Sequence, residues 1–308
     1  MEWLTQAWLG ALIFASVLAP GILPGASPPA PADVAPAGPG VPAPFPEKRA
    51  SAIEPVVGAE SALLVDLPSG RELYAKNPAA RRPIASISKL MTALIATERL
   101  APRQEITAPE LSNSSEESLM GLERGDRLRA DDVLAGALIA SGNDAAETLA
   151  HAVAGSEEAF VELMNERARN LGMEETRFEN ASGYGVGENL SSARDLVVLS
   201  RTVLDEPRIR SLVAQPERTV RALNARKPTS DNPDPERTEF KLFSTDQLLD
   251  SYLPIAGLKT GTSDAAGPSL VSALDDGDRR LLAIVLDSPD RFQENKAMLD
   301  WALRSFRW

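Results

Sequence analysis

The hydrophobic residues of this chain recur at helical spacing through much of its length. The clearest pattern covers residues 86–99, where apolar side chains fall at i, i+3, i+4, i+7 and i+8 and so form one helix face. The residues on that face are Ile87, Leu90, Met91, Leu94 and Ile95. Capping residues around other periodic segments predict further helices. These helices cover residues 131–140, 143–155, 156–172, 193–204 and about 290–304.

Shorter and denser apolar runs near both ends of the region after residue 50 are typical of strands. Residues 61–67 and 71–76 flank the turn Pro68-Ser69-Gly70, which predicts a β-hairpin. The charged, proline-containing segment 224–239 predicts a surface loop. Strands at both ends with helices between them predict an α/β (α+β) domain built on an antiparallel sheet. The later predicted strands are Leu253–Thr260, Ser269–Leu274 and Arg280–Asp287.

The first fifty residues differ in composition from the rest. Residues 7–19 are uninterrupted small and apolar residues, fewer than the ~20 that span a bilayer and suited to the core of a signal peptide. Residues 20–46 hold ten of the 24 prolines and no basic residue, which is typical of an extended tether. We therefore expect a signal peptide or N-terminal membrane anchor at 1–23, a disordered Pro/Ala-rich linker at 24–50 and the folded domain at 51–308. This organisation predicts export to the periplasm or to the extracytoplasmic face of the cell membrane.

Charge and the scarcity of two residue types exclude several kinds of chemistry. The chain has 44 acidic and 32 basic residues and a net charge of −12, which disfavours nucleic acid as a partner. It contains no cysteine, so disulfides, thiolate metal sites and cysteine nucleophiles are excluded. With one histidine, His151, the common zinc ligand sets cannot be assembled, and we expect no cofactor. His151 lies in an alanine-rich helical stretch and is expected to be structural, which leaves lysine or a carboxylate as the base of any hydrolase.

Three short motifs could carry chemistry, although each alone has an ordinary structural explanation. Ser86-Ile87-Ser88-Lys89 opens the first helix, and its i, i+3 spacing places a hydroxyl and an ammonium group on one face. Ser141-Gly142-Asn143 interrupts two helices, so a hydroxyl and a carboxamide can point into one cleft. Lys259-Thr260-Gly261 ends a strand, where the glycine permits close approach of another backbone or of a ligand. A lysine can act as a base towards serine when burial or a second cation lowers its pKa.

Together and in this order, the three motifs resemble the signature motifs of penicillin-recognising serine enzymes. Over roughly residues 55–305 the chain is similar to the D-alanyl-D-alanine carboxypeptidase family of low-molecular-weight penicillin-binding proteins. The resemblance implies a β-lactamase/transpeptidase-like fold, in which a mostly helical subdomain stands beside the antiparallel sheet and its flanking helices. The flanking residues that narrow the resemblance are Pro83-Ile84-Ala85, Asp144-Ala145-Ala146, Ser191-Ser192-Ala193-Arg194-Asp195, Gly257-Leu258 and Ala266-Gly267.

The resemblance also implies roles for the residues of the first two motifs. Ser86 would form an acyl-enzyme with the penultimate D-Ala of a peptidoglycan stem peptide, and Lys89 would take its proton. Ser141 would relay a proton to the leaving D-Ala, and Asn143 would hold the substrate amide and orient Lys89. The backbone N–H groups of Ser86 and Thr262 would form an oxyanion hole. β-Lactam antibiotics would act as covalent inhibitors at the same serine.

The third motif is implied to bind the C-terminal end of the substrate. Lys259 would attract the terminal carboxylate and help to keep the first lysine neutral, and Thr260 would hydrogen-bond that carboxylate. Gly261 would belong to the same substrate-binding edge of the strand. Arg291, at the start of the last predicted helix, matches an arginine of the family and could also meet the carboxylate, or it could be a surface arginine at a helix start.

A serine-type carboxypeptidase that removes the terminal D-Ala is the expected function, and three alternatives stand beside it. A class A β-lactamase needs a glutamate that activates water, and Glu188-Asn189-Leu190 does not fit the expected spacing. A D,D-endopeptidase acting on peptide cross-links would use the same residues on a different amine. A non-catalytic, tethered peptidoglycan-binding protein would be expected to lose Ser86, Lys89 or Lys259, and all three are present. The segment Ser244-Thr245-Asp246 departs from the family's asparagine-rich pattern and leaves substrate detail open.

Overall fold

The structure is a computed structural model that describes residues 45–50, 52–111, 118–184, 188–228 and 236–308. The predicted signal peptide or anchor at 1–23 lies outside the described residues, as does the linker up to residue 44. None of the described helices is both long and apolar enough to cross a membrane.

Seven α-helices and thirteen strands make up the described part of the chain. The helices are α1 Lys89–Arg99, α2 Ala130–Leu138, α3 Asn143–Ala154, α4 Glu157–Asn170, α5 Ala193–Asp205, α6 Pro207–Val213 and α7 Arg291–Ser305. The strands are β1 Glu47–Lys48, β2 Ser61–Asp66, β3 Glu72–Lys76, β4 Arg82–Pro83, β5 Glu105–Thr107, β6 Arg127–Arg129, β7 Leu190–Ser191, β8 Glu217–Ala225, β9 Arg237–Phe243, β10 Ile255–Gly261, β11 Ser269–Asp275, β12 Arg280–Leu286 and β13 Phe306–Arg307. Two short 3₁₀ helices are formed by Ala85–Ser88 and Gln247–Asp250.

A five-stranded antiparallel sheet with the order β10-β11-β12-β2-β3 forms the centre of the domain. Alternate residues of its inner strands belong to two separate apolar cores: Leu63 packs with the core that contains α1 and α5, and Leu64 with the core that contains α7. Because β2 and β12 are buried on both faces, their sequences read as apolar runs rather than as alternating patterns. The predicted α/β class, with helices flanking an antiparallel sheet, is confirmed.

The helices α1 to α4 form the mostly helical subdomain, and local signals position their ends. Ser156 caps α4 by accepting a hydrogen bond from the Ala159 N–H at 3.2 Å, and Ser192 caps α5 through the Asp195 N–H at 3.1 Å. The first predicted helix begins differently, because the 3₁₀ helix Ala85–Ser88 precedes α1. Side chains such as Phe160, which is completely buried on α4, fill the core of this subdomain.

The structure corrects the predicted surface loop at residues 224–239 at its two ends. Strands β8 and β9 pair antiparallel and extend to Ala225 and from Arg237, whereas residues 226–228 and 236 form neither helix nor strand and residues 229–235 lie outside the described part of the chain. Val220 and Phe240 of these strands join the core, and charged residues take exposed positions beside them. Arg226, just after β8, forms ion pairs with Glu123 and Asp126. These long-range pairs add to the packing that holds the two strands against the helical subdomain.

Gly257 of β10 provides a test of how closely this strand packs on the helices. It has a φ of +99°, and a Cβ there would lie 2.5 Å from the Val213 carbonyl oxygen at the end of α6. Gly257→Ala is expected to lower the free energy of unfolding by about 2–4 kcal/mol, which combines left-handed strain with overpacking. Gly277→Ala is the matched control, because Gly277 has a φ of +92° and open space around it. We expect the control to cost only about 1–2 kcal/mol in urea unfolding, and equal losses would contradict the close packing.

Candidate active site

The first motif is brought together by the short 3₁₀ helix. A 3₁₀ helix eclipses residues i and i+3, so Lys89 at the start of α1 returns over Ser86. The Lys89 Nζ lies 2.8 Å from the Ser86 Oγ. Ser86 is half-buried, whereas the Lys89 side chain has no exposed surface. The predicted contact between this hydroxyl and this ammonium group is confirmed.

Lys89 also joins the first motif to two other segments. Its Nζ donates to the Asn143 Oδ1 at 2.6 Å and to the Ser182 carbonyl oxygen at 2.7 Å. Both oxygens can only accept, so they take two N–H groups whether the lysine is charged or neutral. When Lys89 is neutral, its lone pair is then directed at the Ser86 hydroxyl. The sequence analysis missed Ser182, because a main-chain carbonyl carries no signal in its residue type.

The second motif sits in a strained turn between α2 and α3. Ser141 has a φ of +58°, a left-handed conformation that a residue with a Cβ adopts at a cost, and such strain is common at functional sites. The Lys259 Nζ donates to the Ser141 Oγ at 2.8 Å. Asn143 begins α3 as predicted. The structure therefore contains two buried lysine–serine pairs, one within the first motif and one between the second and the third.

Asp144, which the sequence analysis named only as a residue flanking the second motif, holds this turn in place. Its carboxylate accepts hydrogen bonds from three successive backbone N–H groups, those of Met120, Gly121 and Leu122, at 2.7–2.8 Å. The side chain is completely buried. Charge-assisted bonds of this kind are among the stronger hydrogen bonds in proteins. They fix the beginning of α3, and hence Asn143, relative to the segment 118–122.

The pKa of Lys259 is strongly perturbed. Burial first and the Arg291 guanidinium second lower it from 10.5 to about 7, while the Asp246 carboxylate acts in the opposite direction. Its side chain is 1% exposed. A buried lysine whose pKa lies near neutrality can carry a charge to meet an anion or lose a proton to a neighbour. This dual capacity fits the position of Lys259 beside the Ser141 hydroxyl.

Strand β10 approaches the turn that carries Ser86 at van der Waals distance, as the glycine of the third motif predicted. A Cβ on Gly261 would lie 2.6 Å from the Ile84 carbonyl oxygen. On the other side of the turn, Gly183 has a φ of +79°, and a Cβ there would collide with the main chain of Ala85. Ala85 itself has a φ of +46°. The segment that presents Ser86 is thus clamped between two backbones that only glycine allows so close.

Arg291 and two threonines complete the edge of β10. The Arg291 guanidinium donates to the Gly261 carbonyl oxygen at 2.9 Å and also hydrogen-bonds the Thr262 hydroxyl. Burial lowers the pKa of Arg291, and Asp246 opposes that shift. The Thr260 and Thr245 hydroxyls lie 2.6 Å apart. The structure therefore brings Arg291 to the third motif, and its guanidinium is engaged there rather than on a free surface.

Residues that other mechanisms would require lie elsewhere. His151 is eight residues beyond Asn143 on α3, which places it about 12 Å further along the helix. The Asn189 side chain accepts from the backbone N–H groups of Glu179 and Asn180, so it holds a loop together. Within the described ranges, no cluster of His, Cys, Asp or Glu side chains is arranged to hold a metal ion.

An antiparallel sheet with a helical subdomain, and a serine–lysine pair at their junction, define the class of penicillin-binding serine enzymes. The fold matches penicillin-binding protein D2 from Listeria monocytogenes, solved in its cefotaxime-bound form, with a TM-score of 0.69 and 30% identity over 82% of this chain and 100% of that one. The family model described as D-alanyl-D-alanine carboxypeptidase matches residues 48–290. The chain belongs to that family.

Two relatives of the chain are named for different activities. The chain is 31% identical to D-alanyl-D-alanine carboxypeptidase DacF of Bacillus subtilis, over 80% of this chain and 63% of the relative. It is 34% identical to a D-alanyl-D-alanine endopeptidase of Escherichia coli, over 77% of this chain and 74% of the relative. The chain thus spans somewhat less than two thirds of the length of DacF and about three quarters of the endopeptidase.

The lowered pKa of Lys259 makes the stability of the wild-type protein depend on pH. Between about pH 7 and 10.5 the unfolded chain holds a proton on this lysine that the folded protein lacks, so stability rises with pH there. Lys259→Met removes this contribution. Relative to the variant, the wild type is expected to gain up to about 1.4 kcal/mol per pH unit above pH 7 in urea unfolding. A wild-type-minus-variant difference that is the same at pH 6.5 and pH 9 would contradict the shift.

Proposed function

We propose that this protein is a serine-type D-alanyl-D-alanine carboxypeptidase that removes the terminal D-Ala from peptidoglycan stem peptides. The observation that carries the proposal is the position of Lys89, buried and hydrogen-bonded to both Ser86 and Asn143. A lysine held in this way has little use for stability, because burying its charge is costly. It is suited to accept a proton from the adjacent hydroxyl.

Acylation begins when the Ser86 oxygen attacks the carbonyl carbon of the penultimate D-Ala and the neutral Lys89 amine takes its proton. The backbone N–H groups of Ser86 and Thr262 receive the oxyanion that forms. When the peptide bond breaks, the departing D-Ala nitrogen gains a proton through Ser141, which the Lys259 ammonium group contacts at 2.8 Å. Water then hydrolyses the ester on Ser86 and regenerates the free enzyme.

The edge of β10 binds the terminal D-Ala, which is the leaving group of the reaction. Lys259 and Arg291 place two cationic groups near Thr260, which suits a C-terminal carboxylate. Thr260 supplies a hydroxyl, and Asn143 supplies an amide that can turn its N–H₂ group to the substrate. Penicillins carry a carboxylate beside a reactive amide, so they can occupy the same positions and acylate Ser86.

We further propose that the domain acts outside the cytoplasm. The support is the apolar segment at 7–19, the proline-rich stretch after it, and a substrate class that is found in the cell wall. The relatives described above come from bacteria. An N-terminal tether to the membrane, or release after cleavage, are both compatible with that sequence.

The nucleophile can be tested by intact-mass measurement after incubation with benzylpenicillin. The wild-type protein is expected to gain the mass of one penicilloyl group, and Ser86→Ala is expected to gain none, because the variant lacks the hydroxyl that lies 2.8 Å from the Lys89 Nζ. Ser88→Ala is a matched control on the same 3₁₀ helix, since the Ser88 hydroxyl bonds only the Ala85 carbonyl. The control should keep its adduct. An adduct on Ser86→Ala, or none on folded wild type, would overturn the proposal.

A D,D-endopeptidase is the second candidate, and the identity of 34% with the Escherichia coli endopeptidase favours it. Its substrate presents the amine of a cross-link in place of free D-Ala, so the leaving side is larger. Competition between a pentapeptide ending in D-Ala-D-Ala and a cross-linked peptide dimer separates the two. We expect the pentapeptide to be hydrolysed at least about tenfold faster, because only its free carboxylate meets both cations of the β10 edge. Faster cleavage of the dimer would assign the chain as an endopeptidase.

A further inference from the structure

A buried carboxylate beside the third motif has no part in the mechanism described above. Asp246 follows strand β9 and begins the second 3₁₀ helix, Gln247–Asp250, and it is 6% exposed. Its Oδ1 accepts the Leu248 N–H at 3.0 Å, whereas its Oδ2 is buried with no hydrogen-bond partner among the described residues. A buried carboxylate oxygen without a hydrogen-bond partner destabilises the fold, so we look for the role of Asp246 in function and not in folding.

The neighbouring contacts place Asp246 against the substrate-binding edge. The residue before it, Thr245, shares a hydrogen bond of 2.6 Å with the Thr260 hydroxyl. The 3₁₀ helix that Asp246 begins packs on strand β10. Burial raises the pKa of Asp246, whereas the Leu248 N–H and the two cations of that edge, Lys259 and Arg291, favour its charged form. Within the described part of the chain, Asp246 forms no ion pair of 4 Å or less with either cation.

These charges imply that Asp246 limits how strongly the edge attracts an anion. Lys259 and Arg291 supply two positive charges when both are protonated, and Asp246 offsets one of them from within the protein. A substrate carboxylate that arrives at the same cations is repelled by the charge of the buried Asp246, because charges that are shielded from water interact more strongly than exposed ones. A peptide whose C-terminal carboxyl group is amide-linked is not repelled.

We propose that Asp246 is a specificity-determining residue that weakens the binding of a free C-terminal carboxylate and so narrows the advantage of such a peptide over one in which that carboxyl group is amide-linked. This inference rests on the proposed function and names the feature of the substrate that the same site reads. It assigns Asp246 no contact with the reacting atoms.

The test compares one peptide ending in D-Ala-D-Ala with the same peptide carrying a C-terminal amide. Both are assayed at about pH 6, below the Lys259 pKa, so that the lysine stays protonated when its acidic neighbour is removed. Asp246→Asn retains the oxygen that accepts the Leu248 N–H and removes only the charge. Its kcat/KM for the free-carboxylate peptide is expected to rise about tenfold, through a lower KM, with the amide unchanged within about twofold.

Asp250→Asn is the matched control, because Asp250 is an exposed aspartate on the same 3₁₀ helix. It is expected to leave the ratio of the two substrates at the wild-type value. Asp246→Ser, which keeps an oxygen acceptor, is expected to behave like Asp246→Asn and serves if the asparagine variant does not fold. Equal changes for both peptides would show a merely structural role for Asp246 and would overturn the inference, as would an unchanged ratio.

The experiment also separates this inference from the proposed function. If the wild-type protein hydrolyses neither peptide, the carboxypeptidase function is overturned and the inference falls with it. If it hydrolyses the peptides but the ratio is indifferent to the charge at 246, only the inference falls.

Discussion

The burial of two lysine side chains is the constraint on which the rest of this site depends. An ammonium group removed from water must be surrounded by oxygen atoms or lose its proton. Lys89 finds its oxygens on its own helical turn, at the start of α3 and on the main chain of Ser182, and Lys259 finds one on Ser141. Because Lys259 lies on strand β10 and Ser141 lies between α2 and α3, the sheet and the helical subdomain must meet at one junction for Lys259 to be accommodated.

The close approach of three backbones at that junction explains where the fold tolerates strain. The turn that presents Ser86 is held between strand β10 and the segment at 182–183, and Ala85 within it has a positive φ. Ser141 is strained in the same way on the opposite wall. Strain of this kind persists only where the surroundings over-determine the conformation. The buried Asp144 carboxylate, with three backbone N–H groups around it, supplies part of that rigidity.

The two buried lysines of the site have different surroundings. Lys89 contacts the Ser86 hydroxyl and donates to the Asn143 side chain and the Ser182 carbonyl oxygen. Lys259 lies between a second serine and the cationic edge of β10, and its pKa near 7 reflects burial first and Arg291 second. The Asp246 carboxylate opposes both effects on the pKa of Lys259.

The sequence by itself determined the parts of this protein that depend on local spacing. Local spacing predicts the contact of Ser86 with Lys89, the helix caps at Ser156 and Ser192, and the close approach at the glycine after Thr260. Each of these features depends on residues only a few positions apart. The resemblance carried by the three motifs likewise pointed to the family that the comparisons show. The apolar runs of the central sheet also predict strands from local sequence alone, although they do not predict the order of the strands in the sheet.

Only the tertiary structure decided what depends on distant segments meeting. The facing ends of β8 and β9 were predicted to be loop, because charged residues and prolines dominate the sequence between them and the pairing of the two strands exists only in the folded chain. Ser182 acts through a carbonyl that every residue possesses, and Asp246 acts through a charge whose neighbours are assembled by folding. Hydrogen bonds and electrostatic interactions depend on the distance between two groups in space. The sequence alone predicts that distance only for groups that are a few residues apart, and folding decides it for all others.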